Sequence, residues 1–225
     1  MRYNTKRHEI EIGHTVMDYI TFGEGEKVLV LIPGLSFKTV RKFAEAFSFM
    51  YRIFAKDYTV YVFDRKRQLP IGYTIKNMAD DLAHVMTSIG IERADVIGIS
   101  QGGMIAQYLT LDHPQLVNKL VLGVTLSRLN DTARNVIGNW VRLAVNRDYE
   151  GITEDMLKIV YSDAYVARIG KYFPLVSRFC GCPSRYIPAE IRVGHPRLFI
   201  PDFLYLCELC GGTSAICSGY TQAEV

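Results

Sequence analysis

One stretch constrains this chain more than any other: Ala94-Asp95-Val96-Ile97-Gly98-Ile99-Ser100-Gln101-Gly102-Gly103. A β-branched run enters a Gly-x-Ser-x-Gly turn, and Met104 to Leu111 then follows with good helix formers and no internal Gly or Pro. The serine is thereby set between a strand and a helix. A turn this tight would bring side chains two residues either side of the serine into collision, which accounts for glycine at 98 and 102. The serine is expected to take strained backbone angles that lift its Oγ clear of the sheet. The helix N-terminus beneath it favours negative charge developing nearby.

The chain has 225 residues, 49% hydrophobic and 22% charged, enough to bury a sizeable core as one domain. A formal charge of +3 over 26 basic and 23 acidic residues, with no basic run beyond Arg65-Lys66-Arg67, gives nucleic-acid binding no electrostatic support. Those three charges read as a solvated loop at a strand end. No apolar run approaches the ~18 residues that span a bilayer, and Met1 to His8 is polar with no apolar segment behind it. A cytoplasmic protein without membrane contact is the expectation.

Strand-length apolar runs alternate with helical patterns. His8 to Ile12 and Thr15 to Phe22 read as an antiparallel pair about Gly13. Lys27 to Ile32 is continuously apolar after its lysine, as in a strand covered on both faces, and ends at Pro33-Gly34. Arg41 to Phe54 spaces Phe43, Ala46, Phe47, Met50 and Phe54 along one helical face. Thr59 to Phe63 is a further buried strand closed by Asp64-Arg65; Asn77 to Ser88 is a helix stopped by Gly90; Lys119 to Thr125 is one more strand. This alternation implies a mostly parallel sheet with right-handed crossovers and flanking helices.

Residues 8 to about 178 resemble the α/β-hydrolase fold family, in the branch of esterases, lactonases and proline-iminopeptidase-like enzymes. Pro33-Gly34-Leu35-Ser36 stands where that family carries its oxyanion loop, with proline in place of the usual histidine. Phe63-Asp64-Arg65 and Leu69 to Thr74 are similar to the loop after the next strand, with Lys66 at the usual glycine position. Ala79-Asp80-Asp81-Leu82 matches the helix leading to the serine strand, and Gly98 to Gly103 is the nucleophile elbow. The resemblance implies an α/β-hydrolase fold with residues 1–129 as core and 130–178 as a helical cap. It also implies acyl transfer: Ser100 attacks the carbonyl of an ester, lactone or amide, and the oxyanion is held by the backbone N–H groups of Gln101 and Leu35, with Ser36 a substitute for Leu35. A small-molecule acyl compound is the implied partner, and no cofactor or metal is called for.

Within 130–178, the segments Asp131–Asn146, Thr153–Tyr161 and Asp163–Gly170 read as helices, with Thr153 as an N-cap. Trp140, Tyr149, Tyr161, Tyr165, Tyr172 and Phe173 either pack a small cap core or line an acyl pocket.

The rest of a catalytic triad is not legible. His8, His14, His84 and His113 read as surface or capping residues; His195 and Asp202 stand late in the chain, but in the order opposite to the family's acid before histidine. From about residue 179 the composition changes, and all five cysteines lie at Cys180, Cys182, Cys207, Cys210 and Cys217. Zinc thiolates, disulfides and a divergent or out-of-frame tail are the three readings. The last accounts at once for the lost strands, the lost histidine and the new composition. Two function classes follow, an impaired serine hydrolase and an inactive hydrolase-fold protein that binds a ligand. A nucleotide-binding protein is a distant third: Gly34 to Thr39 superficially suggests a phosphate loop, yet Phe37 stands where glycine must precede the lysine.

Overall fold

The computed structural model describes residues 3–35, 39–70 and 72–169. Six strands form one sheet in the order β1-β2-β4-β3-β5-β6: β1 Lys6–Ile12, β2 Thr15–Phe22, β3 Lys27–Ile32, β4 Tyr58–Lys66, β5 Ala94–Ile99 and β6 Val117–Gly123. The first two strands form the expected antiparallel pair, turning at Gly13 with φ +59°. β2 also runs antiparallel to β4, whereas β4, β3, β5 and β6 are mutually parallel. β3 is the centre of the sheet, and Leu29 to Ile32 are buried on both faces.

Helices α2 (Ile75–Ser88) and α3 (Gln101–Asp112) cover one face, with Val30, Val96, Leu82, Val85, Met86, Ile105 and Leu109 in its core. The other face is covered by α1 (Ala44–Met50), over Ile20, Phe22, Leu31, Val60 and Val62. Beyond β6 come α4 (Asp131–Val145), α5 (Tyr149–Val160) and α6 (Asp163–Ile169). Trp140 Nε1 and Asn139 Nδ2 both donate to Asp155 Oδ2, at 2.7 and 3.1 Å, and so tie α4 to α5. Tyr161 and Tyr165 stack on each other with centroids 4.8 Å apart and remain exposed. Tyr172, Phe173, the five cysteines, His195 and Asp202 lie outside the described residues.

Several expectations need correction. Arg41–Phe54 is not one helix: 3-10 turns at Val40–Phe43 and Arg52–Phe54 flank α1, because Phe43 and Tyr51 leave helical angles. The small Ala44 and Ser48 let this segment lie flat on the sheet, so the buried row is Val40, Ala44 and Ser48. Phe43 and Met50, expected on the inner face, are exposed. α2 starts two residues earlier than read, since Thr74 and Asn77 cap each other reciprocally with an asparagine where a glutamate is usual. β6 stops at Gly123, before Val124 with φ +43°. Thr153 is inside α5, whose N-cap is Asp148 accepting from Gly151 N.

The basic triplet is not a solvated loop either. β4 continues through Asp64, Arg65 and Lys66, and each base has partners: Arg65 on Pro33 O and Gln101 Oε1, Lys66 on Asp81, and Arg67 on Asp18 and Glu9. Asp18 sits at a bulge in the β2–β4 pairing and is fully buried, and its carboxylate is met by Arg67 and by Arg41.

Candidate active site

Ser100 follows the last residue of β5 and caps α3, with φ +52° and ψ −121°. These are strained angles for a residue with a side chain, and they persist only where the surroundings enforce them. Here the enforcement is visible. Ser100 N donates to Gly123 O at 2.9 Å, and Ser100 O accepts from Gly103 N at 2.9 Å and from Thr125 Oγ1 at 2.7 Å. The side chain is left exposed at the C-terminal end of a parallel strand.

Each glycine of the motif stands where a Cβ has no room. At Gly98 it would meet Gly103 Cα at 2.6 Å and Ala106 Cβ at 2.7 Å, and at Gly102 it would lie 2.0 Å from Ile32 O. At Gly103 it would strike the Thr125 side chain at 2.6 Å. The elbow is therefore packed against the end of β3 and against the residues after β6.

The turn after β3 closes over the serine. A Cβ on Gly34 would lie 3.1 Å from Ser100 Cβ and 3.7 Å from Ser100 Oγ, so the main chain of Pro33-Gly34-Leu35 passes directly beside the hydroxyl. Leu35 is exposed and Gln101 is buried in the first turn of α3, where backbone N–H groups have no helical acceptor. The structure thus brings Ser100, the Leu35 turn and Gln101 together; Ser36 lies outside the described residues.

Two neighbours whose roles were not legible from local pattern complete the arrangement. Asp64 accepts from Val40 N at 3.0 Å and from Arg65 N at 2.9 Å; burial pushes its carboxyl up, against the pull of Arg65 and of those two hydrogen bonds. Arg65 reaches across to the serine turn itself. Beside them an apolar groove of about 130 Å³ runs from Pro33 and Gly34 past Phe43, Ala46, Phe47 and Met50. Of the residues expected along one helical face, Phe43, Ala46, Phe47 and Met50 line this groove and Phe54 packs against the core beneath α1.

Among the described residues Ser100 Oγ has no hydrogen-bond partner. The four described histidines are engaged or exposed elsewhere. His8 stacks on Tyr19 and meets Thr21 Oγ1 at 2.9 Å, His14 and His84 are exposed, and His113 holds Asp80 Oδ1 at 3.0 Å near the far end of α3. No group of three or more His, Cys, Asp or Glu among the described residues is placed to hold a metal ion. No described helix is long and apolar enough to cross a membrane.

The family model described as alpha/beta hydrolase fold matches residues 27–159, from β3 into α5. The chain belongs to the α/β-hydrolase fold family. Among solved structures, this hydrolase-fold chain is similar to the enol-lactonase from Burkholderia xenovorans LB400, with a TM-score of 0.63 and 18% identity over 80% of this chain and 69% of that one. It is also similar to Est816, described as an N-acyl homoserine lactone degrading enzyme, with a TM-score of 0.60 and 24% identity over 82% and 69% of the two chains. At these identities the likeness is one of fold. Among curated proteins, relatives that carry the name carbamate hydrolase RutD are similar over shorter stretches. The one from Caulobacter vibrioides strain NA1000 is 45% identical over 56 residues, and the one from Yersinia enterocolitica 49% over 53. The matches span about a fifth of these relatives' length, 21% and 19%, and about a quarter of this chain, 25% and 24%.

Proposed function

We propose that this chain carries the acyl-transfer centre of a serine hydrolase, with Ser100 as nucleophile. The observation that carries the reading is the strained, exposed Ser100 at the head of the buried helix α3 with the Gly34 main chain against it. Ser100 Oγ attacks a carbonyl carbon, its proton passes to a base, and the carbonyl oxygen becomes an oxyanion. The backbone N–H groups of Leu35 and Gln101 hold that oxyanion, supported by the positive end of α3. An alcohol or amine then leaves, and water releases the acid from the acyl-enzyme. Carboxylic esters, lactones and amides fit this chemistry; the lactonase and carbamate hydrolase names of similar proteins refer to carbonyls that likewise carry an oxygen or nitrogen leaving group. In this reading α4–α6 are the cap of residues 130–178, residues 1–129 the core, and the stretch from 179 a divergent tail.

The described residues hold no base for Ser100. No described histidine meets Ser100; this reading takes the chain as an impaired hydrolase, and a non-catalytic protein that binds an acyl ligand is the second reading. A fluorophosphonate probe, which labels Ser100 if any base is present, separates them. Labelling that is abolished in Ser100→Ala supports the nucleophile; labelling that persists in the alanine variant sinks it. No labelling, together with a thermal shift on adding ester or lactone fragments, supports the binding protein.

A further inference from the structure

Resting on the acyl-transfer reading, we infer that Arg65 is a positioning residue that fastens the two halves of the oxyanion site to each other. One atom makes the link. Arg65 Nη2 donates to Pro33 O at 2.7 Å and to Gln101 Oε1 at 2.8 Å. Pro33 immediately precedes Gly34 and Leu35, and Gln101 contributes the other oxyanion N–H from its own backbone. The two segments are far apart in sequence, and a single guanidinium nitrogen with two hydrogens spans them.

The arrangement suits what such a site requires. Stabilising an oxyanion depends on donors held in place before the charge forms, and a turn after a strand is mobile unless tied down. Charge-assisted hydrogen bonds from a guanidinium are stronger than neutral ones, and the planar group has few ways to rearrange. Arg65 is in turn held through its backbone N–H by Asp64 Oδ1, while Asp64 Oδ2 takes Val40 N. The dipeptide Asp64-Arg65 therefore holds Pro33, at the start of the stretch beside Ser100, and Val40. Gln101 is buried, so its amide oxygen also depends on that guanidinium.

The test uses the full chain with Arg65→Met, Arg65→Lys and Gln101→Leu, followed by hydrogen–deuterium exchange and by the kinetics of fluorophosphonate labelling. In Arg65→Met, exchange at residues 33–40 and 101–104 is expected to rise together, while β3 and β5 stay protected. The labelling rate constant falls roughly tenfold, with the probe's apparent binding constant unchanged, since the oxyanion contacts act only as the tetrahedral centre forms. Arg65→Lys, which can reach one acceptor, recovers part of the loss. Gln101→Leu loosens residues 101–104 and, with one arm of the link gone, the 33–40 turn by less. Unchanged exchange in both segments of Arg65→Met, or labelling at the parent rate, overturns the inference. If Arg65→Met does not fold, parent-like exchange and labelling in Gln101→Leu overturn it instead. If the parent is not labelled at Ser100, the acyl-transfer reading fails by itself, and the exchange data still decide the link.

Discussion

Gly34 and Ser100 face each other so closely that a methyl group on the first would sit 3.1 Å from the Cβ of the second. The backbone at Gly34 has no positive φ, so alanine is allowed there conformationally and the conflict is with the serine alone. Gly34→Ala is therefore expected to change stability by less than about 1 kcal/mol. It should slow labelling of Ser100 by between about tenfold and a hundredfold, because a small displacement beside reacting atoms is enough for that. Equal labelling rates in the two proteins would show that the turn does not form part of the site.

Glycines elsewhere in the chain should respond with opposite signs. Gly102→Ala drives a Cβ to 2.0 Å from the backbone oxygen of Ile32, which cannot rotate away, and a loss of more than about 3 kcal/mol is expected. Gly138, inside α4, has nothing within 4 Å of a Cβ and an ordinary backbone. Gly138→Ala should stabilise by about 0.5–1 kcal/mol through helix propensity. Urea midpoints of the two variants against the parent decide both signs.

His8 supplies a pH dependence. Burial against Tyr19, and secondarily the charge of Lys6, hold its imidazole below its ordinary value of ~6.5. The unfolded chain then binds more protons than the folded one just below that value, so stability falls as pH drops from about 7 through the folded pKa and levels off below it. His8→Gln should flatten this part of the profile. An unchanged slope between about pH 7 and 5 in the variant would assign it to other groups.

How much of this was legible depends on the range of the interactions involved. The elbow could be read because its constraints are local: strand, glycine, serine, glycine and helix occupy one decapeptide, and each glycine is needed within a turn of its neighbours. The strands of the parallel sheet could be read because burial on both faces leaves unbroken apolar runs such as Val28 to Ile32. Arg65, Lys66 and Arg67 misled, since nothing near them in sequence discloses Pro33, Asp81 or Asp18 as partners. The Arg41–Phe54 face misled for a related reason. Its large residues match helical spacing, yet the sheet selected Ala44 and Ser48, and the aromatic row faces the groove by Gly34. Thr125, which holds the Ser100 carbonyl, looked like the last residue of a strand that in fact ends at Gly123.

The protonation of the Ser100 hydroxyl sets the rate of ester hydrolysis to be expected. A serine with no base on it stays protonated at neutral pH, and loss of the histidine of a triad costs on the order of 10⁶ in turnover while the oxyanion site and binding keep ~10³–10⁴ over water. Hydrolysis of short-chain p-nitrophenyl esters by this chain is expected at that residual level, to change little in Ser100→Ala because the residual rate comes from the oxyanion site and binding, and to be indifferent to His195→Gln. Added imidazole should then act as an external base, raising the rate of the parent above that of Ser100→Ala under the same conditions, because only the parent has a nucleophile to deprotonate. If the parent instead turns over at ordinary enzyme rates, roughly 1–10³ per second, and His195→Gln removes that activity, then His195 supplies the base and the chain is not impaired. Rescue of equal size in parent and Ser100→Ala would mean that imidazole acts on the ester directly and that Ser100 has no part in the reaction.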